Sequence, residues 1–153
     1  MDELLGDTIF LDWLPKGSFK RPGASLADLS GERFKSPPDF KSYVTTTAVA
    51  AWEQPIGRLT CEHVRLLTGQ QFGLKWLGRP VAQFVEMYPA AEVTFYPGDL
   101  TMAALQAFEE IAAHDPDDAR LLREADYGWM RERFTFSRSL VREAEALVVK
   151  VQG

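Results

Sequence analysis

Residues 99–114, DLTMAALQAFEEIAAH, carry the clearest helical pattern in the sequence. Their apolar residues recur every three or four positions, as on the buried face of a helix: Leu100, Ala103, Ala104, Ala107, Phe108 and Ile111. Asp99 is expected to cap the first turn, and His114 with Asp115 to end the last one. The stretch therefore predicts one continuous helix, and a mainly α-helical fold around it.

Helical spacing recurs on both sides of this stretch. The ranges that show it are 42–54, 60–69, 73–88 and 137–150. The apolar face of the first range is expected to hold Tyr43, Val44, Thr47, Ala48, Ala51 and Trp52. Thr60 is a good N-cap for the second range, and Pro116 can open a further helix with Asp115 as its cap. The sequence thus predicts several helices of moderate length.

Two places depart from a simple helical pattern. Gly78 and Pro80 interrupt 73–88, so a kink or two joined pieces are expected there. Residues 93–96 are rich in strand-forming residues, but a Pro-Gly pair follows at once. A loop or a brief extended segment is therefore predicted for 93–96 in preference to a sheet strand.

Residues 1–40 are predicted to form an irregular arm. They hold many helix-breaking residues: Gly6, Pro15, Gly17, Pro22, Gly23, Gly31, Pro37 and Pro38. Within the arm, Ser25 can cap a short helix that Gly31 ends, with Asp28 in its first turn. The arm is expected to lie on the body of the protein because it carries bulky apolar residues: Phe10, Leu11, Trp13 and Leu14.

Length and composition fit one compact multi-helix domain over residues 1–153. Hydrophobic residues make up 46% of the chain and charged residues 25%, which is typical of a globular protein. Cys61 is the only cysteine, so an internal disulfide is excluded and a reducing compartment is favoured. Residues 1–7 hold three acids and no base, unlike a secretory signal, and no run of 18 apolar residues occurs. A cytoplasmic protein without membrane segments is expected.

The negative charge is concentrated in one segment. Of the net charge of −5, residues 1–91 contribute zero (ten acids, ten bases) and residues 92–153 contribute all five (twelve acids, seven bases). Residues 92–118 contain no Lys or Arg and seven acids: Glu92, Asp99, Glu109, Glu110, Asp115, Asp117 and Asp118. Such a segment attracts basic surfaces and repels phosphate backbones. A solvated helix face with acidic caps would explain the same residues without a partner.

Residues that could carry out catalysis or bind metal are scarce. Cys61 and His63 are two positions apart in a predicted helix and point about 200° from one another. His114 has a structural role available at a helix C-terminus. No phosphate loop, dinucleotide motif or metal-ligand motif occurs, so no catalytic residue, metal or cofactor is expected. The acidic charge argues against nucleic-acid binding by the helical pair in 60–88.

Four segments in order resemble one known family. They are SLADLSG (25–31), LTCEHVRLL (59–67), GQQFGLKWL (69–77) and YPGDL (96–100). Together they resemble the immunity proteins of bacterial contact-dependent growth inhibition systems over about residues 25–107. The sequence departs from the family pattern at His63 and Val64, at Ala90 and Ala91, and at Thr101. The motif residues Gly69, Gly73, Gly98 and Asp99 are interpreted as structural, in turns and a helix start.

The resemblance implies an inhibitor that binds the toxic C-terminal domain of a large secreted protein, not an enzyme. Such domains are often nucleases, whose basic clefts would suit an acidic partner. The candidate toxin-binding residues are Glu92, Tyr96, Glu109, Glu110, Asp115, Asp117 and Asp118. Tyr127 and Trp129 are further possible anchors, and each fits the core equally well. An adaptor for another basic protein and a small hydrolase stay open as alternatives, and the sequence leaves the oligomeric state undetermined.

Overall fold

The computed structural model describes residues 4–33 and 43–153, and these residues form helices joined by turns and loops. The α-helices are α1 (Leu26–Ser30), α2 (Tyr43–Glu53), α3 (Cys61–Gly69), α4 (Leu74–Met87), α5 (Asp99–Gln106), α6 (Phe108–His114), α7 (Pro116–Glu124), α8 (Met130–Arg133) and α9 (Arg138–Gln152). Short 3-10 helices lie at Phe10–Trp13 and Ile56–Arg58. In the described ranges, β-pairing is limited to isolated bridges such as Ile9 with Thr60. The predicted mainly helical single domain is confirmed.

Helix α4 lies at the centre of the domain and contacts α3, α5, α6 and α7. Five of the six residues predicted for its apolar face are buried, and the sixth, Tyr88, is half-buried just after the helix; the buried five are Leu74, Leu77, Val81, Phe84 and Val85. Burial of one such side chain contributes about 1.5–3 kcal/mol. Gly78 faces α6 and α7, where a Cβ would make ordinary van der Waals contacts, 3.4 Å from Asp118 and 3.7 Å from Ile111.

The N-terminal arm lies on this body, as predicted. Phe10 is 1% exposed, and its ring centroid is 5.4 Å from that of Phe84 in α4. The short helix α1 also forms as predicted: Ser25 accepts the Asp28 N–H at 3.0 Å, and Gly31 ends the helix with a φ of +72°. The parts of the arm prediction at residues 1–3 and 34–40, and the predicted helix start at Ser42, fall outside the described residues.

The prediction of one helix over 99–114 is wrong, because the chain bends at Ala107 between α5 and α6. Hydrogen bonding continues through the bend, with the Ala107 N–H bound to Ala103 at 3.1 Å. Helix α5 contacts α3, α4 and α9, whereas α6 contacts α4 and α7. Because of this bend, the apolar side chains of residues 99–114 can pack against both sets of neighbouring helices.

Helix α4 is a single element from Leu74 to Met87. Of the two alternatives predicted at Gly78 and Pro80, a kink or two joined pieces, the two pieces are excluded. A proline inside a helix costs about 3 kcal/mol, since it removes one hydrogen bond and crowds the preceding turn. Burial of the apolar face of α4 among four helices offsets this cost. In α2, Tyr43 is also misplaced by the prediction, as it is 65% exposed and does not join the buried face.

Gly69 and Gly73 were both predicted to form the turn between α3 and α4, and only Gly73 does so. Gly69 is the last residue of α3, has no positive φ, and would meet nothing within 4 Å if it carried a Cβ. The turn instead has positive φ at Gln71 (58°) and Gly73 (72°). A Cβ on Gly73 would lie 2.9 Å from Leu26, so Gly73 also makes room for α1.

Within the described ranges, no helix is both long enough and apolar enough to cross a membrane.

Candidate functional site

The loop of residues 91–98 is built around the carboxylate of Asp99. The predicted role of Asp99 as an N-cap is wrong: Gly98, with a φ of +79°, occupies the cap position, and Asp99 is the first residue of α5. The Asp99 carboxylate is 4% exposed and turns back to accept three loop amides: Val93 at 2.9 Å, Thr94 at 2.8 Å and Phe95 at 2.9 Å. A carboxylate bound to several backbone N–H groups holds a loop more firmly than neutral hydrogen bonds would. The loop predicted for 93–96 thus has a defined shape.

Two other parts of the chain hold this loop against the body. The Thr94 hydroxyl donates to Glu62 of α3, which also accepts the Arg65 Nε–H at 2.7 Å. The Leu5 N–H of the arm donates to the Glu92 carbonyl at 3.1 Å. The loop is therefore held against α3 and against the N-terminal arm, in addition to its own hydrogen bonds to Asp99.

An aromatic cluster lies behind and beside the loop. The Tyr96 ring centroid is 5.7 Å from that of the buried Phe134 and 5.9 Å from that of Phe136. Trp129 packs on Phe134 at 5.5 Å and covers Gly98 so closely that a Cβ at Gly98 would collide with its ring. The cluster therefore supports the loop through side-chain packing.

Part of this cluster is open to solvent. Phe95 is 65% exposed and Phe136 is 60% exposed, while Tyr96 is half-buried. We refer to Tyr96 and Phe136, whose rings are in contact, as the aromatic patch. The Arg65 guanidinium lies 4.6 Å from the centroid of the Phe95 ring and also pairs with Glu62.

The predicted toxin-binding residues fall in three parts of the fold. Glu92 and Tyr96 are half-buried in the loop. Glu109 and Glu110 are exposed on α6, where Glu109 pairs with Lys150 at 2.7 Å and Glu110 with His114 at 3.1 Å. The hydrogen bond and charge of Lys150 lower the pKa of Glu109. The other three predicted residues lie at the start of α7.

The acids at the start of α7 serve mainly the fold. Asp115 caps α7 by accepting the Asp117 N–H at 2.9 Å, with Pro116 in the first turn, as predicted. Arg79 of α4 donates to Asp115 at 3.1 Å and also to Asp118, which is 4% exposed. The hydrogen bond that Arg79 donates to Asp118 raises the pKa of Arg79. Asp118 therefore ties α7 to α4, and Asp117 is the most exposed acid of the three.

Helix α9 connects the loop with α6. Near its start, Glu143 accepts a hydrogen bond from Gln106 of α5 at 2.7 Å, and the charge of Glu143 contributes to a raised pKa of Tyr96, after burial and Asp99. Near its end, Lys150 reaches Glu109. One edge of α9 thus runs from the aromatic patch to the acids of α6.

The residues weighed for catalysis have structural partners. Cys61 is fully buried, and burial raises the pKa of its thiol to about 11, so the thiol is neutral near pH 7. The His63 ring accepts the Thr60 N–H at 3.1 Å, which completes a capping box for α3. Burial lowers the pKa of His63. Across the described ranges, no group of three or more His, Cys, Asp or Glu residues is placed to hold a metal ion.

Tyr127 belongs to the core. Its hydroxyl donates to the Leu122 carbonyl, and burial raises its pKa. Trp129 donates to the Asp126 carbonyl at 2.7 Å and supports the loop from behind. Phe95 and Phe136 were not among the predicted site residues. The signal that could have found Phe95 is a pair of adjacent aromatic residues directly before a Pro-Gly turn; Phe136 has no comparable local signal.

Comparison with known proteins gives one match. A family model described as CDI immunity proteins matches residues 28–122. No curated protein and no solved structure matches the chain.

Proposed function

Because the chain belongs to the family of CDI immunity proteins, we propose that it neutralises its cognate toxin by covering the toxic domain with an acidic face that includes α6. The family match over residues 28–122 is the observation that carries the toxin-neutralising role. Proteins of this family are non-catalytic inhibitors, so the chain is not an enzyme and works by binding. The face and the class of toxin are argued from charge and exposure below.

The charge of the chain favours a nuclease as the toxin. Residues 92–118 have seven acids and no Lys or Arg, and the whole chain has a net charge of −5. A nuclease carries a basic cleft because it must attract phosphate groups. An acidic inhibitor would be steered toward that cleft and could occupy it. Since nucleic acids are the target inside a cell, the cytoplasm is the proposed site of action.

The exposed acids of α6 and α7 are the best-placed members of the predicted set. Glu109 and Glu110 are exposed, and their partners Lys150 and His114 are surface groups. Exposed pairs of this kind contribute about 0–1 kcal/mol, so either acid can exchange its partner for a base of the toxin. Asp117 adds a third exposed carboxylate, whereas the buried Asp118 is out of reach of a partner.

The experiment is co-expression of the chain with the toxin domain encoded beside it. We expect the wild-type chain to restore growth and to co-purify with the toxin domain in a stoichiometric complex. The variant Glu109→Lys/Glu110→Lys/Asp117→Lys should lose both, because it places three positive charges against a basic cleft. A matched control, Asp7→Lys/Asp12→Lys/Glu86→Lys, makes the same change in charge at exposed positions outside the proposed face.

The two variants separate the parts of the proposal. Equal loss in both would show that overall charge matters and that the proposed face does not. Normal rescue by the first variant would exclude the α6 face. Absence of rescue and of a complex with the wild-type chain would overturn toxin neutralisation itself.

A further inference from the structure

We propose that a groove between the N-terminal arm and α4 is a second contact surface for the toxin, and that it binds Asp or Glu side chains of the toxin domain. We refer to it as the basic groove, and the residues that give it its chemistry are Phe19, Lys20, Arg21, Lys75, Trp76 and Arg79. This inference rests on the proposed function and adds to it. The acids of α6 would contact basic residues of the toxin, and the basic groove would contact acidic ones.

The first argument is the charge of the basic groove, whose volume is about 290 Å³. Four of the described residues that line it are Lys or Arg and none of them is Asp or Glu, although the whole chain has a net charge of −5. The side chains of Lys20, Arg21 and Lys75 are exposed, and no ion pair joins them to an acid of the described ranges. Like charges that line one groove repel one another, and an anion between them would relieve that repulsion.

The second argument is a hydrogen-bond donor in the wall of the groove. The indole N–H groups of Trp13, Trp52 and Trp129 donate to oxygen atoms of the protein at 2.7–2.8 Å. Trp76 is half-buried in the wall of the basic groove, and no described residue accepts its N–H. The Lys75 ammonium lies 5.4 Å from the centroid of the Trp76 ring. A carboxylate is an acceptor with two oxygens, so it can bind the ammonium and the indole N–H together.

The third argument limits the length of the occupant. At the start of α7, Asp115 accepts a hydrogen bond from Arg79 at 3.1 Å, and Asp117 nearby is exposed. In α1, the pKa of Asp28 is lowered mainly by hydrogen bonds within its own capping box and, to a smaller extent, by nearby arginines that include Arg21. Acids therefore flank the basic groove at two places. An extended polyanion such as a nucleic-acid strand would be repelled by them, whereas one or two carboxylates on a protein surface would not.

The fourth argument is continuity with the proposed acidic face. Arg79 lines the basic groove and also joins α4 to α7 through Asp115 and Asp118. The groove therefore adjoins the helix start that carries the exposed Asp117. A toxin domain seated on α6 and the start of α7 would reach the basic groove without a second, separate interface. Adjacent contacts of opposite charge also favour one orientation of the partner over others.

The first test measures binding of the purified full chain to the purified cognate toxin domain by titration calorimetry. We expect Lys20→Glu/Lys75→Glu to weaken the affinity by about 30-fold, because it places two negative charges against carboxylates of the toxin. Arg138→Glu/Arg142→Glu is the matched control, since it makes the same change in charge at two exposed bases of α9, and it should change the affinity less than about threefold. Equal losses in both variants would mean that only the total charge matters, and would overturn the inference.

The chemistry of the occupant is tested by cross-linking the complex with a carbodiimide, which forms an amide between a Lys amine and a carboxyl group in contact with it. We expect mass spectrometry to find Lys20 or Lys75 joined to an Asp or Glu of the toxin domain. Lys20→Arg/Lys75→Arg keeps both charges, so it should retain the affinity of the wild-type chain and lose this cross-link. Cross-links to the toxin that involve only other lysines would overturn the assignment. Unchanged thermal unfolding midpoints would show that the substitutions leave the fold intact.

The outcomes distinguish this inference from the proposed function. Full affinity for the toxin in Lys20→Glu/Lys75→Glu would overturn the role of the basic groove and leave toxin neutralisation standing. A wild-type chain that does not bind the toxin would overturn both. Binding of a short single-stranded RNA by the free chain, or self-association of the free chain, would assign the groove to that occupant if Lys20→Glu/Lys75→Glu abolished it, and would also overturn the inference.

Discussion

The loop of residues 91–98 and the α6–α7 junction draw their acids from the same run of sequence and use them differently. In the loop, the buried carboxylate of Asp99 accepts backbone amides and thereby determines the path of the chain. At the junction, the buried carboxylate of Asp118 accepts a hydrogen bond from the Arg79 guanidinium and thereby joins α7 to α4. The buried acid Asp99 thus determines the conformation of a loop, whereas the buried acid Asp118 links two helices.

The difference has a consequence for how each region tolerates change. In the loop, one carboxylate accepts the amides of residues 93, 94 and 95 together, and Gly98 leaves room for the Trp129 ring. The junction has a cap at Asp115, a proline in the first turn of α7, and a second ion pair from Asp115 to Arg79. We therefore expect substitutions in the loop to lower the free energy of unfolding more than equivalent substitutions at the junction.

The largest effect is expected at Gly98. Gly98→Ala forces a side chain into the left-handed region and against Trp129, at a cost of about 3–4 kcal/mol in the free energy of unfolding. Gly31→Ala is the matched control, with a φ of +72° and nothing within 4 Å of a Cβ, and should cost about 1 kcal/mol. Urea unfolding measures both. Equal costs would mean that Trp129 does not pack on Gly98 as the structure shows.

The second largest loss of stability is expected for a substitution of Asp99. In the wild-type chain, the amides of residues 93–95 share the two carboxylate oxygens of Asp99. Asp99→Asn keeps only one acceptor oxygen, so at least one buried N–H loses its partner. The expected loss in the free energy of unfolding is about 2 kcal/mol. Hydrogen exchange at the amides of residues 93–95 should become faster than in the wild-type chain. Unchanged exchange at these amides would show that the carboxylate does not hold the loop.

A smaller effect is expected at the junction. Asp118→Asn removes one charge next to Arg79, but the guanidinium is 42% exposed and keeps Asp115 as a partner. We expect a loss of about 1 kcal/mol in urea unfolding, less than for Asp99→Asn. A larger loss than at Asp99 would reverse the comparison between the two regions.

The smallest effect is expected at the surface pair of Glu109 and Lys150. Lys150 holds the pKa of Glu109 below its usual value of 4.5, so the folded chain gains stability from this pair at pH values above 4.5. That gain is lost as the pH falls through the lowered pKa. An NMR titration of the Glu109 carboxyl should show a low pKa in wild type and a return toward 4.5 in Lys150→Met. No difference between the two proteins would show that the pair does not form in solution.

The parts of the fold that local chemistry determines could be predicted from the sequence. Ser25 and Thr60 cap their helices, and Asp115 with Pro116 opens α7, because each of these signals acts within a few residues. The bend at Ala107 and the continuity of α4 through Pro80 depend on which helices pack alongside. Hydrophobic spacing does not contain that information.

The candidate site was predictable in the same limited sense. Tyr96 and the acids of α6 lie at the surface or near it, and the family to which the chain belongs was indicated by four short segments in order. Asp118 looks like Asp117 in the sequence, and only its contact with Arg79, 39 positions away, makes it a buried residue. Phe136, in the segment between α8 and α9, contacts Tyr96 through tertiary packing that no local pattern specifies.

Hydrogen exchange of the chain with and without its cognate toxin domain tests the account most directly. The account predicts slower exchange in the complex at residues 18–21, at the start of α4 and in α6, with α2 unchanged. Protection confined to other regions, such as α2 and α8, or no protection with a toxin domain that remains active, would contradict it.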